Sequence, residues 1–232
     1  MASTGSAGRE RAPEPLGRVG RRRAKVRQRL LEAAEALMGD RGIDAVTVEE
    51  ITEAADVARR TFYHHFDSKY DLLVPIARAR TKSLNRRMDR LIEDVYDPAE
   101  AVSIALRHTF REIPEDPLCA WFVLHSGLPF ERLLEGIGES GARDLERGIA
   151  VGRFTVDNQP AASILLVGAL IAVISARVDG KLRDEDLDAA AEYALRLLGV
   201  PAPEALDIAR RPLPPLPEES ADPPGRSEIA RR

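Results

Sequence analysis

A single cysteine, Cys119, is all the thiol chemistry in this 232-residue chain. One thiol closes no internal disulfide, which excludes a disulfide scaffold and fits a reducing compartment. The residue reads most simply as a small buried hydrophobe. The N-terminus lacks the apolar core of a signal peptide. The longest apolar run, Ala161–Ala176, is short for a membrane span and rich in Ala, Gly and Ser, so the expected location is cytoplasmic and no membrane partner is expected. Net positive charge is missing too: the formal charge is −4. Also absent are a nucleophile elbow, a phosphate-cradling glycine loop, a His/Cys metal spacing and a Glu-x-x-His pair. No enzyme, cofactor or metal is therefore expected. The helix-start carboxylates Asp184, Glu185 and Asp186 suit a helix dipole rather than an ion. No strand-length alternation lies between turn signals, so the fold class is all-α.

What is present begins with charge distribution. From Arg18 to Arg29 every charge is positive, on a chain otherwise acidic. A local basic patch on an acidic protein fits a DNA reader. Residues 1–20 have no apolar periodicity and are expected to be a disordered arm. Arg22, Arg23 and Lys25 then read either as a solvated face or as groups contacting phosphate or the minor groove. Val26, Leu30, Ala33, Ala34, Leu37 and Met38 form a helical stripe that ends at Gly42.

Between Val46 and Leu73 the local signals are dense. Thr47 and Glu50 make a capping box. Val48, Ile51 and Ala55 share one helical face. Arg59–His65 forms a second short helix with Phe62 and Phe66 inward and Arg59, Arg60, Thr61, Tyr63 and His64 outward. Ser68 opens a third helix with Asp71 in its first turn. Two short helices at an angle, the second basic, describe a helix-turn-helix.

These residues resemble the DNA-binding domain of the tetracycline-repressor (TetR) family. The matching elements are Thr47-Val48-Glu49-Glu50-Ile51, Ala55-Asp56-Val57-Ala58, Thr61-Phe62-Tyr63-His64-His65-Phe66 and Asp67-Ser68-Lys69-Tyr70-Asp71-Leu72. Two positions depart from the pattern. Asp56 stands where the family has a turn glycine, at a residue expected to have positive φ. Ala58 stands where the family has a capping Ser or Thr, a loss of about 1 kcal/mol. The resemblance implies an N-terminal three-helix reader over 21–68 and a helical ligand-binding and dimerisation domain over 69–200. It also implies phosphate contacts for Tyr63 and Lys69, and Thr47 is expected to touch phosphate as well as cap its helix. His64 is expected to face DNA and His65 to be half-buried.

Downstream, Asp97-Pro98 starts a helix, Leu118–Leu124 is a short apolar one, and Gln159–Val178 is apolar on all faces. In the family the last two long helices pair into a four-helix dimer interface. The expected interface residues are Leu165, Leu166, Gly168, Ala169, Ala172, Val173, Ala176, Leu187, Ala191, Ala194, Leu195 and Leu198. A small, largely apolar effector would be held by Arg107, His108, Phe110, Arg111, Trp121, Phe122, His125, Phe130, Phe154 and Ile171; the aromatic members also fit ordinary core. Residues 201–232 are proline-rich and charged and are expected to be mostly disordered. The expected function is a homodimeric regulator, a repressor released from a palindromic operator by a small molecule. The competing reading is an all-helical small-molecule-binding protein without sequence-specific DNA function.

Overall fold

The computed structural model describes residues 17–125 and 143–218. The described residues are helical, with no strand among them. The order is α1 (Arg18–Arg41), α2 (Val48–Ala54), α3 (Arg59–Phe62), a 3-10 turn (Lys69–Leu72), α4 (Leu73–Ile92), α5 (Pro98–Glu115) and α6 (Pro117–His125). Then come α7 over residues 143–150, α8 (Gln159–Val178), α9 (Asp184–Leu197) and α10 (Ala202–Arg210).

Local chemistry sets the boundaries. The Gly42 amide donates to Met38 O from φ 85° and closes α1. Thr47 accepts from the Glu50 amide while the Glu50 carboxylate accepts from the Thr47 amide at 2.8 Å, so α2 begins on its capping box. The Asp71 carboxylate accepts from the Ser68 amide at 2.9 Å ahead of α4. Asp97 accepts from the Ala99 amide ahead of Pro98, and Asn158 caps α8.

Leu30, Met38, Ile51, Phe62 and Leu72 are fully buried in a first core made by α1–α3 and the start of α4. Each large aliphatic or aromatic group buried this way contributes about 1.5–3 kcal/mol. Leu118 of α6 belongs to this core as well, at 0% exposure, and Trp121 packs against it. The second core joins α4, α5, α6, α8 and α9 through Leu84, Phe110, Phe122, Ile174 and Leu187. A third gathers Phe154, Leu195, Leu198 and Ile208.

Two expectations change here. The basic residues Arg22, Arg23 and Lys25 sit in the first two turns of α1, which starts at Arg18, so the helix begins inside the segment read as an arm. Residues 1–16 lie outside the described set. Pro114 lies in the last turn of α5, which ends at Glu115. Residues 201–218 do not behave as a loose tail: α10 packs into the third core through Ala205 and Ile208, and Leu213 and Leu216 pack against the body of the domain. The proline content hid this, because prolines read as disorder when no partner surface is visible. Residues 219–232 lie outside the described set.

Candidate nucleic-acid interface and effector pocket

The turn between α2 and α3 depends on Asp56. Among the described residues it is the non-glycine with positive φ, at 51°. Asp is among the few residue types that tolerate this conformation. Its carbonyl accepts from Arg29 Nη2 at 2.8 Å, tying α1 to the turn, while its carboxylate stands in solvent 3.8 Å from the same guanidinium. Ala58 supplies no side-chain cap to α3, and the Asp56 carboxylate, turned to Arg29, does not replace it.

From this turn α3 and the turn that follows it present Arg59, Arg60, Tyr63 and His64 to solvent, the helix stopping at Phe62 and not running on to His65 as expected; Thr61 is half-buried. Arg59 is held by an ion pair with Glu49 of α2 and lies over the Tyr63 ring, 5.9 Å from its centroid. The hydrogen bond to Tyr63, then the Glu49 charge, raise the Arg59 pKa further. Glu49, which sequence reading left out, thus orients the leading arginine of the face. Arg22, Arg23, Lys25 and Thr47 are exposed, and Arg23 Nη2 reaches His64 O at 3.5 Å. His65 is half-buried, and burial followed by the charges of Arg23 and Arg27 lowers its pKa.

Lys69 has a different job from the phosphate contact expected of it. Its ammonium donates to the carbonyls of Ile43, Asp44 and Val46 at 2.9, 3.0 and 2.8 Å. All three of its protons are therefore committed to locking the α1–α2 loop onto the start of the third helix. The signal was tertiary, 23 to 26 residues away in sequence, and no local pattern carries it.

The expected effector residues do not converge on one cavity. Phe110 and Phe122 are buried in the second core, with Ile171 packed against it. Phe154 lies in the third core against Gly148. Trp121 stacks on Tyr70 and is itself stacked by His125, whose Nδ1 donates to Trp121 O at 3.1 Å. Arg107, His108 and Arg111 are taken up by structural partners. Arg107 Nε and Arg111 Nη2 both bond Asp188 Oδ1 at 2.8 Å, and His108 Nε2 meets Pro214 O at 3.0 Å. Phe130 lies outside the described residues.

Two polar pockets open along α4. One, of about 480 Å³, is lined by Arg80, Ser83 and Arg87 with Glu112 and Cys119. Burial pushes the Cys119 thiol up to about 12, so it is a neutral wall group. The other, of about 370 Å³, lies between α4 and α7 and is lined by Asp89, Arg143, Asp144 and Arg147. Burial raises the Asp144 pKa, opposed by Arg147 and assisted by Asp89. Arg147 Nη2 stands 3.8 Å from Asp144 Oδ1, beyond hydrogen-bond reach. None of these four was singled out in the sequence, where charged residues on helices read as solvated faces.

The expected dimer face divides. Leu187, Ala191, Ala194, Leu195 and Leu198 are buried within the subunit by neighbouring helices and are not available to a second chain; α10, unrecognised in the tail, covers that side of α9. Leu166 and Val173 pack partly inward and Ala176 is half-buried. Leu165 is 57% exposed, as is Ile164 at 56%, in line with exposed Gly168, Ala169 and Ala172. Tyr193 and Leu197 of α9 are also exposed.

Comparison with known proteins agrees with this architecture. Residues 30–76 match the family model of bacterial regulatory proteins, tetR family, and residues 97–211 match that of the tetracyclin repressor-like C-terminal domain. Among curated proteins, the chain is 35% identical over 103 residues to an uncharacterized HTH-type transcriptional regulator of Mycobacterium tuberculosis, covering 44% of this chain and 51% of that protein. It is 39% identical over 102 residues to the HTH-type transcriptional repressor KstR2 of Rhodococcus jostii, covering 44% and 48%. The chain spans about half the length of the curated relatives it matches. Similarity to the crystal structure of RolR in complex with resorcinol is wider: 34% identity, 85% of this chain, 99% of that one, TM-score 0.76. With one family model on the reader, a second on the regulatory helices and a solved relative matched over nearly its whole length, the chain belongs to the tetR family of bacterial regulatory proteins.

Proposed function

We propose that this protein is a sequence-specific DNA-binding transcriptional regulator that acts as a homodimer and represses until a small molecule releases it. The observation that carries the reading is the exposed α3 face. Arg59, oriented by Glu49 and Tyr63, stands beside Arg60 and His64, with Arg22, Arg23 and Lys25 alongside on α1. Guanidinium groups fork onto guanine edges or phosphates, and the helix that follows the turn of a helix-turn-helix is the one that enters the major groove. One such helix reads few bases. A twofold pair reads two half-sites of a palindrome, and the apolar face of α8 suits the pairing.

That face also bears on location. Gln159–Val178 is long and apolar enough to cross a membrane, and 22% of its most apolar window is buried in the subunit. A second subunit covering Ile164, Leu165, Gly168 and Ala172 accounts for the exposure, and the family is one of soluble regulators. Both points support a cytoplasmic location.

For the effector, the related RolR structure contains resorcinol, a benzene ring with two hydroxyls. The Asp144–Asp89 pocket offers two carboxylates as acceptors and two guanidinium groups beside them, which suits a hydroxylated small molecule better than a wholly apolar one. An effector shifts DNA affinity only through differential affinity for the two reader positions. The parts that touch both domains are α4 and, through Leu118 and Trp121, α6.

Selection of bound sequences from random duplex DNA at near-physiological salt tests the reading. An enriched palindrome supports a dimeric reader. No enrichment by folded, dimeric protein would leave a helical small-molecule-binding protein as the better account.

A further inference from the structure

The segment after α10, Arg211-Pro212-Leu213-Pro214-Pro215-Leu216-Pro217-Glu218, has four prolines in eight residues. Each proline removes an amide donor and favours an extended conformation. Arg211 begins it at φ −59°, ψ 147°, close to polyproline II. Exposure then repeats every three residues: 212, 215 and 218 face solvent, while 213, 214, 216 and 217 are half-buried. Three residues per turn is the period of a polyproline II helix.

The protein surface matches that period. The carbonyls of Arg211, Pro214 and Pro217, three residues apart, accept from Arg107 Nη1 at 2.8 Å, from His108 Nε2 at 3.0 Å and from Arg87 Nε at 2.7 Å. A carbonyl only accepts, so His108 carries its proton on Nε2. Leu213 and Leu216, also three apart, enter two different apolar clusters. With the segment in place Arg107 and His108 are 4% and 5% exposed, and Arg107 is also fixed from the domain side by Asp188, which accepts from its Nε at 2.8 Å. The segment is rich in acceptors and poor in donors; the groove supplies donors and two leucine seats.

We infer that the α4–α5 face is a binding groove for an extended, proline-rich segment with leucines at i and i+3, and that residues 211–218 of the same chain are its exchangeable occupant. The occupant joins α5, through Arg107 and His108, to α4, through Arg87 and through Arg90, whose Nη2 reaches Glu218 O at 3.3 Å. It is therefore a latch across the two helices. No residue of it is fully buried, and it bonds through every third carbonyl instead of a continuous ladder. A preformed polyproline helix loses little conformational freedom on docking, so a free peptide of the same sequence can take the place.

The test uses the full chain and contains no DNA, so its outcome is separate from that of the DNA-reading proposal. A fluorescent peptide of residues 211–218 is titrated into the native protein and into the Leu213→Asp/Leu216→Asp variant, whose own segment is expelled. At least tenfold tighter binding by the variant is expected, and Arg87→Ala in that background should reverse most of it. Equal binding by folded native and variant proteins, or no effect of Arg87→Ala, would overturn the inference. A second measurement needs no variant to fold. In the native protein the Nε2 proton of His108, held on Pro214 O at 3.0 Å, should exchange with solvent faster than global unfolding allows, by local opening of the segment. Exchange only at the rate of global unfolding would equally overturn it.

Discussion

Trp121 lies flat on Tyr70, ring centroids 5.5 Å apart and planes 11° from parallel. The first ring belongs to α6 of the regulatory domain and the second to the 3-10 turn of the reader, so the stack crosses the joint between them. Leu118, one turn earlier on α6, fills the reader's own core at 0% exposure. The regulatory domain thus reaches the reader through α6 as well as through α4. Because Trp121 is the only tryptophan, its fluorescence reports on this joint alone. Tyr70→Ala should change the emission of the folded protein while leaving its helical content intact. Leu118→Ala should lower stability by about 2–5 kcal/mol, the usual result of emptying a fully buried leucine site. Unchanged emission in the first variant, with stability unaltered in the second, would show the joint to be loosely packed.

Asp56 holds a conformation that glycine adopts more easily. Asp56→Gly removes a cost of about 1 kcal/mol at φ 51° and keeps the carbonyl that Arg29 grips. The lost carboxylate contact is exposed and 3.8 Å long, worth little by comparison. Thermal unfolding should therefore shift upward by a few degrees. A fall would mean that the exposed contact outweighs the backbone strain.

The α2 capping box titrates. The Glu50 carboxyl is lowered to about 2 by the Thr47 amide first and the Arg41 guanidinium next. A carboxyl whose folded pKa is depressed adds stability that is complete above its unfolded value, near 4.5, and is lost as pH falls toward the folded value. Unfolding measured from pH 5 to pH 2 should be less steeply pH-dependent in Glu50→Gln than in the native protein. Identical pH profiles would show that the box does not persist in solution.

Lys69 and Arg60 separate two roles that sequence alone merges. Both are basic residues inside the reader motif, yet Lys69 spends its protons on the carbonyls of Ile43, Asp44 and Val46, whereas Arg60 stands in solvent. Lys69→Met should lower thermal stability and leave the salt dependence of DNA binding as it was. Arg60→Ala should do the reverse, cutting the slope of log affinity against log salt by about one if it meets phosphate. A reduced slope for Lys69→Met would return that residue to the DNA-contacting set.

The difference between these two residues also marks how much was legible. The capping box at Thr47, the helix start at Ser68, the stop at Gly42 and the start at Pro98 all depend on neighbours within four residues, and each stands where sequence chemistry put it; the positive φ of Asp56 stands where the family resemblance implied it. Arg107, His108 and Lys69 bond to segments 23 to 106 residues away. A sequence shows a cation or an imidazole there but not the carbonyls it meets. Misreading the proline segment compounded this. Once residues 201–218 are packed on the domain, the inner face of α9 has a cover, and Leu187, Ala191, Leu195 and Leu198 become core while Ile164, Leu165 and Ala172 of α8 keep an open apolar face.

The most direct test of the DNA-reading account is the affinity of the protein for its selected palindrome set against a scrambled duplex of equal length, at near-physiological salt. The account predicts two chains per palindrome and a preference of about a thousandfold or more, the lower end for specific readers. Equal affinity for the two duplexes would contradict it.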